Sequence, residues 1–264
     1  MGLSIVITQV AMRRSRLLTL LLNCLSLVML LTANPALAQH VAPLSHDSAH
    51  TVGHDGHDRT ASGEVWEGSE KGIAYSERNH HIAGFMVLLM GLAELCNVLR
   101  LQSLRWARLL LPSALIFAGF FILVWSDHEA WPIGSLSFGE TFLGEDHEIL
   151  QHKTYGILAF LVGSVELFRR LGRIGRKAWA SPLPLMAIVG GLMLFGHSHG
   201  FHPSAPKIAM HHAIMGTMAV TAGSSKLVSA WVAPNEGSSS TGSWEWLWVS
   251  LILLIGAQLL LYSE

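Results

Sequence analysis

The stretch HHIAGFMVLLMGLAEL, residues 80–95, decides the fold. It is apolar throughout except near its two ends, where His80, His81 and Glu94 stand. From His80 it reads H-x3-G-x6-G-x2-E-L, giving His80, Gly84, Gly91, Glu94 and Leu95. HKTYGILAFLVGSVEL, residues 152–167, repeats that spacing with His152, Gly156, Gly163, Glu166 and Leu167. HAIMGTMAVTAGSSKL, residues 212–227, repeats it again with His212, Gly216, Gly223, Lys226 and Leu227. Only the glutamate has changed, to lysine. These offsets fall on one stripe of an α-helix. Glycines on such a stripe let helix backbones approach closely in lipid.

Between these runs lie others with a second pattern, G-x6-S followed by Asp, His or Glu. Its members are Gly119, Ser126, Asp127; Gly191, Ser198, His199; and Gly256, Ser263, Glu264. The two patterns alternate along the chain. They predict an all-α integral membrane protein of six transmembrane helices, arranged as three repeated helical hairpins.

Composition agrees with a membrane setting. Of 264 residues, 51% are hydrophobic and 13% charged, against ~25% charged in soluble domains. Mean hydropathy is +0.43. A net charge of −1 gives no reason to expect nucleic acid as a partner. Cys24 and Cys96 both sit in apolar runs, which leaves no disulfide framework and no cysteine zinc motif.

The six runs cover residues 80–99, 107–126, 149–168, 182–198, 211–232 and 245–262. Each is long enough to cross ~30 Å of hydrocarbon as a helix. Arg100, Arg105 and Arg108 follow the first run, and Arg169, Arg170, Arg173, Arg176 and Lys177 follow the third. Basic loops stay in the cytoplasm, so the opposite ends, the start of the 80–264 domain and the C-terminus face out.

The beginning of the chain reads as an export signal over residues 1–38. It has MRRSR from Met12, a leucine-rich core and a small-x-small site at Ala36–Ala38. An uncleaved signal anchor would leave the same topology. Residues 39–79 read as a histidine-rich, disordered periplasmic tail, with His40, His46, His50, His54 and His57 among aspartates. The expected location is a bacterial inner membrane, with both mature termini periplasmic.

On this topology all fifteen histidines lie at the outer side or outer boundary, and none in the basic loops. His80, His152 and His212 stand at equivalent depth, with Asp127 and His199 at the matching height on the alternate helices. His81, His128, His147, His197 and His211 are their neighbours. Imidazole binds copper, zinc, nickel and iron, so these ten residues form the candidate metal set. The plainer account is that boundary histidines cap helices and meet headgroups. The threefold repetition favours metal. Met86, Met90, Met210, Met215 and Met218 would suit Cu(I), though methionine is also ordinary core filler. Glu94, Glu166 and Lys226 lie about 21 Å below the histidines, at 1.5 Å per residue. They are expected to tie the three repeats together through ion pairs, with a proton or ion relay as the alternative.

The segments NHHIAGFMVLLMGLAEL, SDHEAWPIG, LQHKTYGILAF, GHSHG and LLIGAQLLLYSE resemble the membrane region of bacterial copper-resistance proteins of the CopD type, over residues 77–264. The resemblance implies an inner-membrane protein that handles copper on the periplasmic side, with a periplasmic copper chaperone as a candidate partner. The function expected is therefore copper binding in homeostasis, resistance or uptake, rather than enzymatic catalysis. The alternative is a haem b electron-transfer protein using transmembrane histidines. A third reading is a membrane scaffold whose tail alone buffers metal.

Overall fold

The computed structural model describes residues 69–144, 146–196, 204–232 and 242–264. The export signal, nearly all of the histidine-rich tail, His197 and His199 lie outside these residues. Among the described residues the structure is all-helical, without a strand.

Helix α1 spans Glu70–Val98. It begins about ten residues earlier than the apolar run suggests, so residues 70–79 belong to the helix and not to the tail. The reason is local: the Ser69 side chain caps the start by accepting from Gly72 N at 3.1 Å. Its first turns are then tied down. Tyr75 donates to the Trp125 carbonyl at 2.6 Å, and Asn79 donates to the Ser126 carbonyl at 3.2 Å. The helix ends at Arg100, whose φ of 54° is left-handed.

A 3-10 segment, Gln102–Leu109, leads into α2, Leu110–Trp125. The segment after α2 contains a short helix, α3, Phe138–Leu143, opened by a Ser137/Glu140 capping box. Helix α4, His147–Arg170, starts at Asp146, whose carboxylate accepts from the N–H groups of Glu148 and Ile149. Gly172, with φ of 76°, stops it. Helices α5, Pro182–Met193, α6, Ala205–Val232, and α7, Ser243–Leu260, complete the bundle.

Among the described residues, four helical stretches are long and apolar enough to cross a membrane: Glu70–Val98, Gln102–Trp125, Lys177–Gly196 and Ser243–Leu260. A multi-pass protein in a lipid bilayer follows. Large apolar side chains such as Phe85, Phe117, Leu161 and Leu192 point outward, as lipid-facing positions require.

The glycines decide which helices touch most closely. A Cβ on Gly119 of α2 would meet Phe160 N at 2.5 Å and Gly156 O at 2.8 Å on α4. One on Gly191 of α5 would meet Gly216 O at 2.8 Å and Val220 N at 2.9 Å on α6. One on Gly256 of α7 would meet Leu88 N at 2.7 Å on α1. The backbone amide met is eight residues past the repeat histidine in all three cases. The closest pairs are thus α2 with α4, α5 with α6, and α1 with α7. They differ from the pairs joined by the basic segments, α1–α2 and α4–α5. Bare backbone on the glycine side permits the shortest approach, and the α1–α7 pair shows that such contacts can join helices far apart in the chain.

Candidate functional site

Between the six long helices runs a cavity of about 480 Å³. Residues from Gly72 to Met90 of α1 line it, so it follows about 27 Å of helix at 1.5 Å per residue. Away from its histidine end the walls are Met90, Leu115, Met186, Met215 and Ile252. The histidine end carries most of the polar groups. His80, His152 and His212, from three different helices, all line it, as do Asp127 and His128.

Each histidine is held in a definite way. His80 Nδ1 lies 2.8 Å from the Ser76 carbonyl. A carbonyl only accepts, so Nδ1 carries the proton and the lone pair is on Nε2. The His80 ring stacks on Tyr262, with centres 3.9 Å apart. His212 is 1% exposed, and its ring centre is 6.1 Å from that of His80, with the planes 27° apart. The Glu264 carboxylate accepts from Ser76 Oγ, beside His80.

His152 Nδ1 lies 2.7 Å from Asp127 Oδ1. A carboxylate also only accepts, so Nδ1 of this imidazole is the donor. Lys153, fully buried at 0% exposure, sits 3.3 Å from the other Asp127 oxygen and donates to the Leu123 carbonyl at 3.0 Å. The Asp127 carboxylate also accepts from Ser126 Oγ. Burial alone would raise the Asp127 carboxyl. The hydrogen bond and charge of His152, the Ser126 hydroxyl and the Lys153 ammonium outweigh it and hold the group below the usual carboxylate range. Sequence reasoning missed Lys153, whose position next to a repeat histidine gave no sign that it would turn inward.

The remaining candidates are dispersed. His81 bonds the Tyr262 carbonyl through Nε2 at 2.9 Å. His211 accepts from Gln258 Nε2 at 3.3 Å. His128 lies 3.5 Å from Glu129. His147 opens α4 and is not part of the cavity lining. Among the described residues, no three of His, Cys, Asp and Glu stand close enough together to hold an ion. Met90 and Met215 line the cavity, while Met218 belongs to the apolar core.

At the opposite end of the helices, Glu94 accepts from Arg170 at 2.8 Å, from Asn97 at 2.9 Å, from Trp248 Nε1 at 3.3 Å and from Lys226 at 3.4 Å. Arg170 also reaches Glu166 at 2.5 Å, and Lys226 reaches Glu245 at 2.7 Å. Arg170, not Lys226, joins the two repeat carboxylates. Its position at the end of α4, among other basic residues, had marked it only as a topology signal.

No family model, no curated protein and no solved structure matches the chain.

Proposed function

We propose that this is a six-span membrane protein made of three copies of one two-helix unit, and that it binds copper at its histidine end. The common packing register of Gly119, Gly191 and Gly256 supports the threefold unit. The metal reading is carried by one observation, the His80–His212 pair. Two imidazoles that would share one ion, with metal–nitrogen bonds of ~2.0–2.1 Å, must stand close together. These two rings are 6.1 Å apart. His80 has its other nitrogen bonded to a carbonyl, the usual way in which a ligating imidazole is oriented. Met215 lies on the wall one turn from His212, and thioether sulfur suits Cu(I).

In this reading copper rests between His80 and His212. His152, His128 and Asp127 are nearby donors at the same end of the cavity. His81, His147, His197, His199, His211 and the tail collect ions on the way. The membrane is a bacterial inner membrane with this end periplasmic, because the basic segments lie at the other end of the helices. A periplasmic copper chaperone is the matching donor or acceptor.

The same two histidines would be the candidate ligands of haem b, which is the second reading. One experiment separates the two. Purified protein is titrated with copper, analysed for bound metal and scanned through the visible range. Stoichiometric copper without a Soret band supports the first reading. A Soret band that shifts on reduction and disappears in His80→Ala moves the assignment to haem. Neither copper uptake nor a Soret band would sink both.

A further inference from the structure

The segment that joins α2 to α4 carries apolar side chains on its outside. Trp131, Ile133 and Phe138 are about half exposed, and Leu143 is 88% exposed. The backbone beneath them is pinned. Trp131 N donates to Thr141 Oγ1 at 3.0 Å, Gly134 N to the Ala130 carbonyl at 2.8 Å and Leu136 N to the Glu129 carbonyl at 2.9 Å. Ala130 and Thr141 are buried. The rings form one group. Trp131 meets Phe138 edge-on with centres 5.5 Å apart, and Phe138 meets Phe142 at 4.7 Å. A fixed, contiguous apolar patch of this kind marks contact with a membrane or another protein.

Helix lengths set the height of the patch. Arg170 of α4 donates to the Arg108 carbonyl, just before α2, at 2.7 Å. The two helices therefore share a level at their basic ends. From Arg108 to Trp125 the rise is about 25 Å, and from Arg170 back to His147 it is about 34 Å, at 1.5 Å per residue. The hydrocarbon core is ~30 Å thick. Measured from the shared level, its far edge falls beyond Trp125 and short of His147. Tilting α2 would leave Trp125 farther inside. The joining segment thus runs at the membrane–water boundary, where amphipathic aromatic rings concentrate. It also continues a lipid-facing surface, since Phe117, Phe120 and Trp125 of α2 are exposed as well. Residues 126–146 contain five carboxylates and no Lys or Arg, so charge would not draw this segment to anionic headgroups.

We propose that residues 131–143 are an interfacial anchor, with Trp131, Ile133, Phe138 and Leu143 set into the headgroup–acyl boundary of the bilayer. The partner is phospholipid, held by apolar contact and not by charge. Residues flanking the anchor, His128 and Glu129 before it and Asp146 and Glu148 after it, line the cavity. The anchor therefore holds the histidine end of the cavity at headgroup level. The inference rests on α2 and α4 both spanning the bilayer, as the six-span reading has it, and not on the copper reading.

The test uses the full-length protein in phosphatidylcholine nanodiscs, with Cys24→Ala and Cys96→Ala. Single nitroxide labels are attached through Phe117→Cys, Ile133→Cys, Phe138→Cys, Leu143→Cys or Lys71→Cys. Collisions with oxygen, which concentrates in hydrocarbon, are compared with collisions with a water-soluble nickel chelate. Phe117 is the deep reference. Lys71, about 43 Å along α1 from Arg100, is the reference in water. The labels at 133, 138 and 143 should fall between the two, roughly 15 Å from the Phe117 label along the membrane normal. Added salt should not move them, because apolar contact is not screened. Trp131→Ser with Phe138→Ser should increase nickel contact at the Leu143→Cys label. Nickel contact at the three anchor labels equal to that at Lys71 would overturn the proposal, as would no increase in the double variant. Shielding from both reagents would place protein over the patch and overturn it too. Water at the Phe117 label would instead remove the spanning reading on which the anchor rests.

Discussion

The imidazole rings of His80 and His212 face each other with centres 6.1 Å apart, although they come from the first and sixth helices. Ser76 and Tyr262 brace His80, through a hydrogen bond and a ring stack. Removing either histidine should therefore weaken copper binding by at least the ~10–100-fold typical of losing an outer-shell partner. His81→Ala should have little effect, because that ring is turned to the Tyr262 carbonyl and does not line the cavity. Copper titration of the three variants checks this. Equal affinities for all three would place the metal elsewhere.

Lys153 and Asp127 form a buried ion pair at 3.3 Å. Lys153→Met strips Asp127 of its charge partner inside the bundle, and breaking such a pair costs about 3–5 kcal/mol. Adding Asp127→Asn should recover part of the loss, which a double-mutant cycle of thermal unfolding would measure. Purely additive effects would mean that the pair contributes nothing.

Asp127 also predicts an acid limit. Its carboxyl is held below the ordinary value in the folded protein. Its contribution to stability is thus fully present above the unfolded value of ~3.9 and is lost as pH falls through the lower, folded value. Asp127→Asn should flatten this part of the stability profile. An unchanged profile in the variant would assign acid sensitivity to other carboxylates.

The glycine contacts give a graded series. Gly119→Ala and Gly223→Ala would each bring a Cβ to 2.5 Å from a neighbouring backbone atom. Overpacking of this kind costs about 1–3 kcal/mol. Gly196→Ala, with nothing within 4 Å, should be close to neutral. Melting temperatures in one detergent would order the three, and a destabilised Gly196→Ala would contradict the packing described.

At the end away from the histidines, Arg170→Met should destabilise more than Lys226→Met. Arg170 joins Glu94 to Glu166 and also donates to the Arg108 carbonyl. Lys226 is more exposed and reaches Glu94 only at 3.4 Å. If Lys226→Met proved the more damaging, the repeat lysine would be the tie after all.

Helix content, the apolar stripes and the positions of the repeat histidines followed from the sequence alone. Residue spacing fixes which side chains share a helix face, and a run of apolar residues fixes where a bilayer-length helix can form. Ser69 and the first turns of α1 lay beyond that signal, because a cap and three polar contacts extended the helix where hydrophobicity had already ended. The partner of each face came from tertiary structure. The stripe of Gly84 and Gly91 says that another backbone will come close, but not that it belongs to α7 instead of α2. Only the closed ring of six helices puts His80 beside His212, turns Lys153 inward to Asp127 and slots Arg170 between Glu94 and Glu166. These relationships depend on which helices meet and at what height. Local spacing does not encode that choice, because many pairings bury the same stripe equally well.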